Sequence, residues 1–305
     1  MSRGREAGYR VLGPRLDYIL HLRPAEWPIM AAHTAVGYLL AVGLSGAGRG
    51  EHLGPALLGL VLWVGCLNGG TLALNSAFDR DEGDIAYLRN PPPPPRRLAA
   101  FALSLMAAGQ AAALLLPALY QAVYAVCFAL SVLYSVPPFR LKAVAGADWV
   151  INMVGFGTLT PLAGWAATGR PLESTDAIVL LAFCPLFAAL YPLTQLYQLE
   201  EDARRGDRTL ALLLGVRRSL DVALGATILA FALLAHGAVR SSWSSTPGAL
   251  RWGALAVAAL AWVLVLVPWR RRADALSAAG HQARMYRALG AWAVTDLAVV
   301  VAWGA

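Results

Sequence analysis

Residues 54–84 read GPALLGLVLWVGCLNGGTLALNSAFDRDEGD. From Gly54 to Leu74 there is no charged residue, and from Asp79 to Asp84 five of six positions are charged. A transmembrane helix needs about 20 consecutive, predominantly apolar residues. The stretch therefore reads as one membrane span with an acidic cluster at its end. Eight other stretches share its apolar character, which predicts nine spans: 27–45, 54–74, 98–116, 118–135, 148–168, 176–198, 219–237, 251–269 and 284–303. Helix breakers or charges fill the joints between them. The proline run 91–95 is the plainest. Proline lacks the amide donor and clashes with the preceding turn, so an extended connector is expected there.

The composition agrees with this reading. Of 305 residues, 58% are hydrophobic and 14% charged, against about a quarter charged in a soluble domain. That is too little charge to coat a soluble globule, and no separate soluble domain is expected. Residues 1–22 form an N-terminal segment, and 23–305 form one all-α, polytopic membrane domain. The net charge of +7 does not point to nucleic acid. The arginines are spread over loops between apolar runs and form no aromatic-interleaved patch. Cys66, Cys127 and Cys184 lie in three different apolar runs, without metal or disulfide spacing. Arg3, Arg5, Arg10, Arg15 and Arg23 precede the first apolar run, and no small-residue cleavage site follows it. That run is expected to stay as the first helix rather than leave as a signal peptide.

Lys and Arg collect in the cytoplasmic loops of membrane proteins. With the N-terminus inside, 21 of the 25 basic residues fall on the cytoplasmic side. Only Arg49, Arg170, Arg240 and Arg251 fall outside. This orientation puts two acidic clusters on the cytoplasmic face. The first spans 75–84. The second reads QLEEDARRGDRT over 198–209. Together they hold eight of the eighteen acids.

Carboxylates crowded at a membrane face repel one another, and hard divalent cations compensate such oxygen clusters. Mg²⁺ is usually held by one or two carboxylates plus substrate phosphates. Asn75, Asp79 and Glu82 are spaced i, i+4, i+7, one helical face, and Gln198 and Asp202 are spaced i, i+4. Asp84 and Glu201 add further carboxylates. A diphosphate bridged by Mg²⁺ between the clusters needs cations on its far side. Arg140, Lys142, Arg204, Arg205 and Arg208 stand on the same face. Taken singly, each cluster also reads as solvated loop charge paired with neighbouring arginines.

Between the clusters lies YSVPPFRLK, 134–142. Its Lys142 is the only lysine in the chain, and a compact ammonium suits a phosphate contact. The plainer reading is a Pro-Pro turn followed by cytoplasmic positive charge. Polar residues within spans are costly and usually face an interior. Asp148 and Asn152, i, i+4 at the start of the fifth span, read either as acceptor-orienting groups or as a helix cap and an interhelical hydrogen bond. Asp296 reads as the partner of another helix, and His33, Gln110 and Gln121 as packing residues. Trp27, Trp149, Trp269 and Trp303 lie near span ends, where an interfacial aromatic belt is expected.

In order and placement the three segments resemble the UbiA superfamily of intramembrane prenyltransferases. Its motifs take the form N-D-x-x-D-x-x-x-D after the second helix and Y-S-x-P-P-x-R-L-K after the fourth. An Asp-rich motif ending in G-x-x-T follows the sixth. This chain offers Asn75 and Asp79, then Tyr134 through Lys142, then Glu200, Glu201 and Asp202 running into Gly206 and Thr209. It differs at Ser76, Gly83 and Gln198, where the family has acids. An R-P-L-type segment after the first motif is also absent. The resemblance implies nine transmembrane helices around a central cavity, two Mg²⁺ ions and an isoprenoid diphosphate. It makes Asn75, Asp79 and Asp202 metal ligands, puts Lys142 and Arg208 on the diphosphate, and sets Tyr134 where positive charge develops.

The leading expectation is Mg²⁺-dependent transfer of a prenyl group to a lipophilic acceptor, aromatic for preference, within the membrane. A second enzyme reading keeps the diphosphate but cyclises the isoprenoid, or uses a non-aromatic acceptor. A third, of another class, is a transporter or lipid-binding protein. Against it, the acids sit at helix ends rather than near the midplane, where coupling sites usually lie.

Overall fold

The computed structural model describes residues 3–79, 85, 88–206, 208–240 and 246–304. Among them the chain is helical, with two isolated β-bridges and no strand. Two short helices, α1 (Arg3–Leu12) and α2 (Leu16–His21), lead into α3 (Trp27–Gly46). There follow α4 (Leu53–Phe78), α5 (Leu98–Ala113), α6 (Ala118–Ser135), α7 (147–166) and α8 (Ser174–Gln195). The short α9 (Leu199–Arg205) precedes α10 (Leu210–Arg240), α11 (Gly248–Arg271) and α12 (Ala278–Trp303).

Seven of these, α3, α4, α6, α8, α10, α11 and α12, are long and apolar enough to cross a membrane. The other two predicted spans are helical but differ in kind. The third, α5, has only sixteen residues. The fifth, α7, consists of three consecutive segments, the middle one a π turn at Met153–Leu159. A second π turn, Leu62–Asn68, interrupts α4. The seventh predicted span starts nine residues early, at Leu210 rather than 219, with a kink at Gly215, φ +71°. Its early charges are accommodated by surface pairing. Arg217 pairs with Asp274, and Arg270 Nε lies 2.6 Å from Asp221 Oδ1.

The helices close into a ring. Successive neighbours from α3 to α8 touch, α8 packs along α10, α10 on α11, α11 along α12, and α12 returns to α3. The closest crossing is α3 on α7. A Cβ added at Gly37 would run into the Pro161 carbonyl, and one at Gly164 into the Thr34 carbonyl. Small residues are what let membrane helices approach backbone to backbone. His33 ties the same wall to α12. Its Nδ1 lies 3.0 Å from Asp296 Oδ1 and its Nε2 3.3 Å from the Gly157 carbonyl. Asp296 is thus paired across helices, as expected.

One core of buried side chains joins α3, α8, α10, α11, α12 and Trp165 of α7, and another joins α3, α4, α5, α6 and α7. The outer faces carry exposed Leu57, Val61, Ile228, Val257, Leu264 and Leu297, the surface a lipid-facing helix presents. The expected aromatic belt needs correction. Trp269 and Trp303 are buried, because α11 and α12 pack over them, and Trp269 donates to His281 Nδ1 at 2.9 Å. Trp27 and Trp149 are half-buried and donate to the Leu22 and Ala188 carbonyls.

Candidate active site

The first cluster starts inside α4 and continues beyond its end. Asn75 is in the last turn, the helix stops at Phe78, and Asp79 has turned extended (φ −86°, ψ 134°). The Asp79 amide still donates to the Asn75 carbonyl at 2.9 Å, so these two side chains stay one turn apart, as their spacing predicts. Helical geometry ends at Phe78. Glu82 and Asp84 lie outside the described residues.

Lys142 meets this pair from the loop after α6. Arg140, with φ +36°, turns the chain into the short helical turn Leu141–Ala143. The Lys142 ammonium donates to Asn75 Oδ1 at 2.6 Å and contacts Asp79 Oδ1. Arg140 Nη2 lies 3.4 Å from the same Asp79 oxygen. The loop is stitched to the second cluster through its backbone, since Arg208 N–H donates to the Ala143 carbonyl at 3.3 Å. In α9, Gln198 is the N-cap residue and its carbonyl accepts from the Asp202 amide at 2.9 Å. The Asp202 side chain is buried.

These pieces converge on one cavity of about 370 Å³. Its wall includes the polar residues Asn75, Asp79, Lys142, Gln198, Glu201 and Asp202. It also includes the apolar residues Met30, Phe156, Phe187, Leu190, Leu289 and Trp292. Phe156 and Phe187 stack with centroids 5.4 Å apart, and Trp292 meets Phe187 edge-on at 5.5 Å. Tyr134 and Tyr191, also in the wall, share a hydroxyl hydrogen bond of 3.0 Å. Such a lining suits a charged head on an apolar tail. Asn152 also lines the cavity, while Asp148 lies behind the wall. The Asp148 carboxylate accepts from Gly146 N–H at 2.9 Å, Gln195 Nε2 at 2.9 Å and Leu210 N–H at 3.3 Å. It therefore braces α7, α8 and α10. Arg204 and Arg208 are exposed and do not line the cavity.

The donor chemistry fits Mg²⁺. Two hard oxygens, Asn75 Oδ1 and Asp79 Oδ1, already converge on a single cation, the Lys142 ammonium. Across the cavity Gln198, Glu201 and Asp202 offer the same atom type. Among the described residues no three His, Cys, Asp or Glu side chains form a cage. Mg²⁺ completes its shell with water and phosphate rather than an all-protein cage.

Sequence reasoning missed much of the wall, including the polar residues Arg23, Glu26, Tyr191 and Gln195. Arg23 and Glu26 stand in the flank before the first span, where charge ordinarily marks orientation. Arg23 is buried and donates from Nη2 to Ser76 Oγ at 3.1 Å. A side pocket of about 70 Å³ shares Met30, Tyr134, Asn152 and Phe156 with the main cavity. Asn68 lines it, buried, with neither amide atom hydrogen-bonded among the described residues.

Comparison with known proteins adds family context. The model of the UbiA prenyltransferase family matches residues 32–289. Digeranylgeranylglyceryl phosphate synthase of Natronomonas pharaonis is 30% identical over 286 residues, 92% of this chain and 96% of that protein. A UbiA homologue of Archaeoglobus fulgidus, solved bound to GPP and Mg²⁺, superposes with a TM-score of 0.67 at 18% identity. The match covers 92% of this chain and 99% of that one. A solved structure concerned with digeranylgeranylglyceryl phosphate synthase in membranes gives a TM-score of 0.69 at 14% identity, covering 94% and 97%.

Proposed function

This chain belongs to the UbiA prenyltransferase family, and from that premise we propose that it transfers a prenyl group from a Mg²⁺-bound isoprenoid diphosphate to a lipophilic acceptor. The observation that carries the proposal is one cavity whose wall combines residues of both acidic clusters and Lys142 with stacked aromatic rings. The Archaeoglobus fulgidus homologue bound to GPP and Mg²⁺ supports the same class of donor and metal here.

Asn75 and Asp79 on one side, and Gln198, Glu201 and Asp202 on the other, would hold Mg²⁺. When bound, the metal would offset the charge of the diphosphate and ease its departure. On substrate entry Lys142 exchanges Asn75 and Asp79 for phosphate oxygens, so its charge is spent on the leaving group. Arg140 stays near Asp79, and Arg204 and Arg208 meet the diphosphate from the rim. Glu82 and Asp84 complete the first acidic set. The Tyr134–Tyr191 pair stands where the tail carbon becomes cationic, with Asn152 beside it and Asp148 holding that wall in place. The apolar part of the wall excludes water from the developing cation. Positioning and preorganised charge carry the rate. We place the N-terminus and both clusters at the cytoplasmic face, on the distribution of basic residues.

Purified protein is incubated with Mg²⁺ and a panel of allylic diphosphates, with and without phenolic acceptors, and products are weighed by mass spectrometry. Pyrophosphate release with an alkylated acceptor supports transfer. Release with a hydrocarbon or terpene alcohol indicates cyclisation instead. Full activity in Asp79→Ala and Asp202→Ala would reject the site.

A further inference from the structure

Glu26 is the last residue before α3, and its side chain lines the cavity that holds both acidic clusters. The turn that delivers it is tight. Arg23 adopts φ +50°, and the Glu26 amide donates to the Arg23 carbonyl at 3.0 Å. Arg23 lines the same wall, with its guanidinium donating to Ser76. Glu26 Oε2 is enclosed and has no hydrogen-bond partner among the described residues. An enclosed carboxyl oxygen without a donor is costly, so the Glu26 carboxyl, on a residue of the cavity wall, keeps unused capacity to accept a hydrogen bond.

We propose that Glu26 accepts the hydroxyl proton of the prenyl acceptor, and thereby selects a neutral, hydroxyl-bearing acceptor. The inference rests on the transfer reaction proposed above. An ionised carboxylate accepts hydrogen bonds and donates none. Glu26 therefore welcomes an O–H group and repels an anionic nucleophile at that point of the wall. The step balances. The allylic C–O bond to the diphosphate breaks and its electron pair leaves with the diphosphate. A lone pair of the acceptor oxygen forms the new C–O bond, and the hydroxyl proton passes to the Glu26 carboxylate.

The electrostatics agree with that task. Burial pushes the Glu26 carboxyl up to about 7, with the Arg23 guanidinium drawing it part of the way back. A base performs best when its pKa lies near the working pH. The other charged or titratable groups in the cavity wall include Arg23, His33, Asp79, Lys142, Glu201 and Asp202. Of these, Lys142 and Asp79 engage each other, and His33 engages Asp296.

The test uses the full chain in detergent with Mg²⁺ and geranyl diphosphate, and two probe acceptors, 1-naphthol and 1-O-hexadecylglycerol. Wild-type protein is expected to geranylate at least one probe, with a rate that rises through pH 7 and then levels. Glu26→Gln is expected to lower kcat/KM about 100-fold at pH 8 and to abolish that rise. Its thermal shift with Mg²⁺ and geranyl diphosphate is expected to stay unchanged. Glu26→Asp is expected to keep the pH-dependent limb at a reduced rate, which serves as the readout if Glu26→Gln does not fold. Equal rates with the same pH limb in Glu26→Gln, or loss of the limb in a folded Glu26→Asp, overturn the inference. So does a wild-type protein that binds geranyl diphosphate but alkylates neither probe. If wild-type protein shows no Mg²⁺-dependent binding of geranyl diphosphate, the donor site itself is wrong, and the inference falls with it.

Discussion

Lys142 occupies the place between Asn75 and Asp79 that a divalent cation would take, so the two cations should compete. Replacing Lys142 with methionine tests this. The side chains of Lys142 and Asp79 are 10% and 15% exposed. Removing one partner of a buried ion pair costs about 3–5 kcal/mol. Arg140, 3.4 Å from Asp79, and the remaining solvent reduce the expected loss to about 2–3 kcal/mol. Thermal unfolding in EDTA, followed by tryptophan fluorescence, should show that loss. Mg²⁺ at a hundred times its Kd stabilises a protein by about 2.7 kcal/mol, enough to recover it. In wild-type protein the same Mg²⁺ must first displace the ammonium, so its stabilising increment should be smaller. The double variant Asp79→Asn/Lys142→Met should unfold near the wild-type temperature in EDTA and gain little from Mg²⁺. Equal Mg²⁺ increments in wild-type and Lys142→Met proteins would refute the competition, as would a loss in EDTA that Mg²⁺ leaves untouched.

Three further changes probe the scaffold. Gly164→Ala drives a methyl group into the Thr34 carbonyl, and we expect a loss of about 3 kcal/mol or more, read as a lower unfolding temperature and a poorer yield of folded protein. Arg251 is buried and donates to the carbonyls of Ala302 at 3.0 Å, Ala238 at 3.2 Å and Thr246 at 3.4 Å. Arg251→Ala removes these three bonds and should cost about 3 kcal/mol. Arg251→Lys should recover little of it, because an ammonium cannot reproduce the guanidinium fork; comparison of the two melting curves decides. Asn68→Leu removes an unpaired amide from apolar surroundings and should raise stability by about 1–3 kcal/mol, so an unchanged or lower unfolding temperature would indicate that the amide has a partner after all.

Much of the fold can be read from the apolar runs, because length and hydropathy alone define a helix that crosses hydrocarbon. Seven predicted spans coincide with long helices. The start of α10 could not be read this way. Arg217 and Arg218 look like loop charges until Asp274 is seen facing Arg217 across the surface. Local spacing foretold that Asn75 and Asp79 stay together. Nothing in the residues marks Phe78 as the last helical position, and position 82 lies outside the described residues. The convergence of two clusters 120 residues apart on one cavity was legible as a shared face, through the count of basic residues. Glu26 was not legible. A single acid before the first span carries no period and no motif, and only burial distinguishes it from an ordinary flanking charge. Asp148 was readable as a helix-start residue, but its bonds to Gln195 and Leu210 depend on tertiary placement.

The stretch of α4 after its π turn fixes more than local shape. The turn lies at Leu62–Asn68, upstream of Asn75 and Asp79 on the same helix. An α-helix advances about 100° per residue. A π turn takes up one extra residue with little change in the direction of the helix that follows, whereas deleting one residue from the regular helix between that turn and Asn75 would swing Asn75 and Asp79 away from Lys142 by about that amount. The length of an uncharged stretch is thereby under the same constraint as the acids themselves. An insertion or deletion there should be as disabling as the loss of Asp79, although it would alter none of the polar residues in the cavity wall.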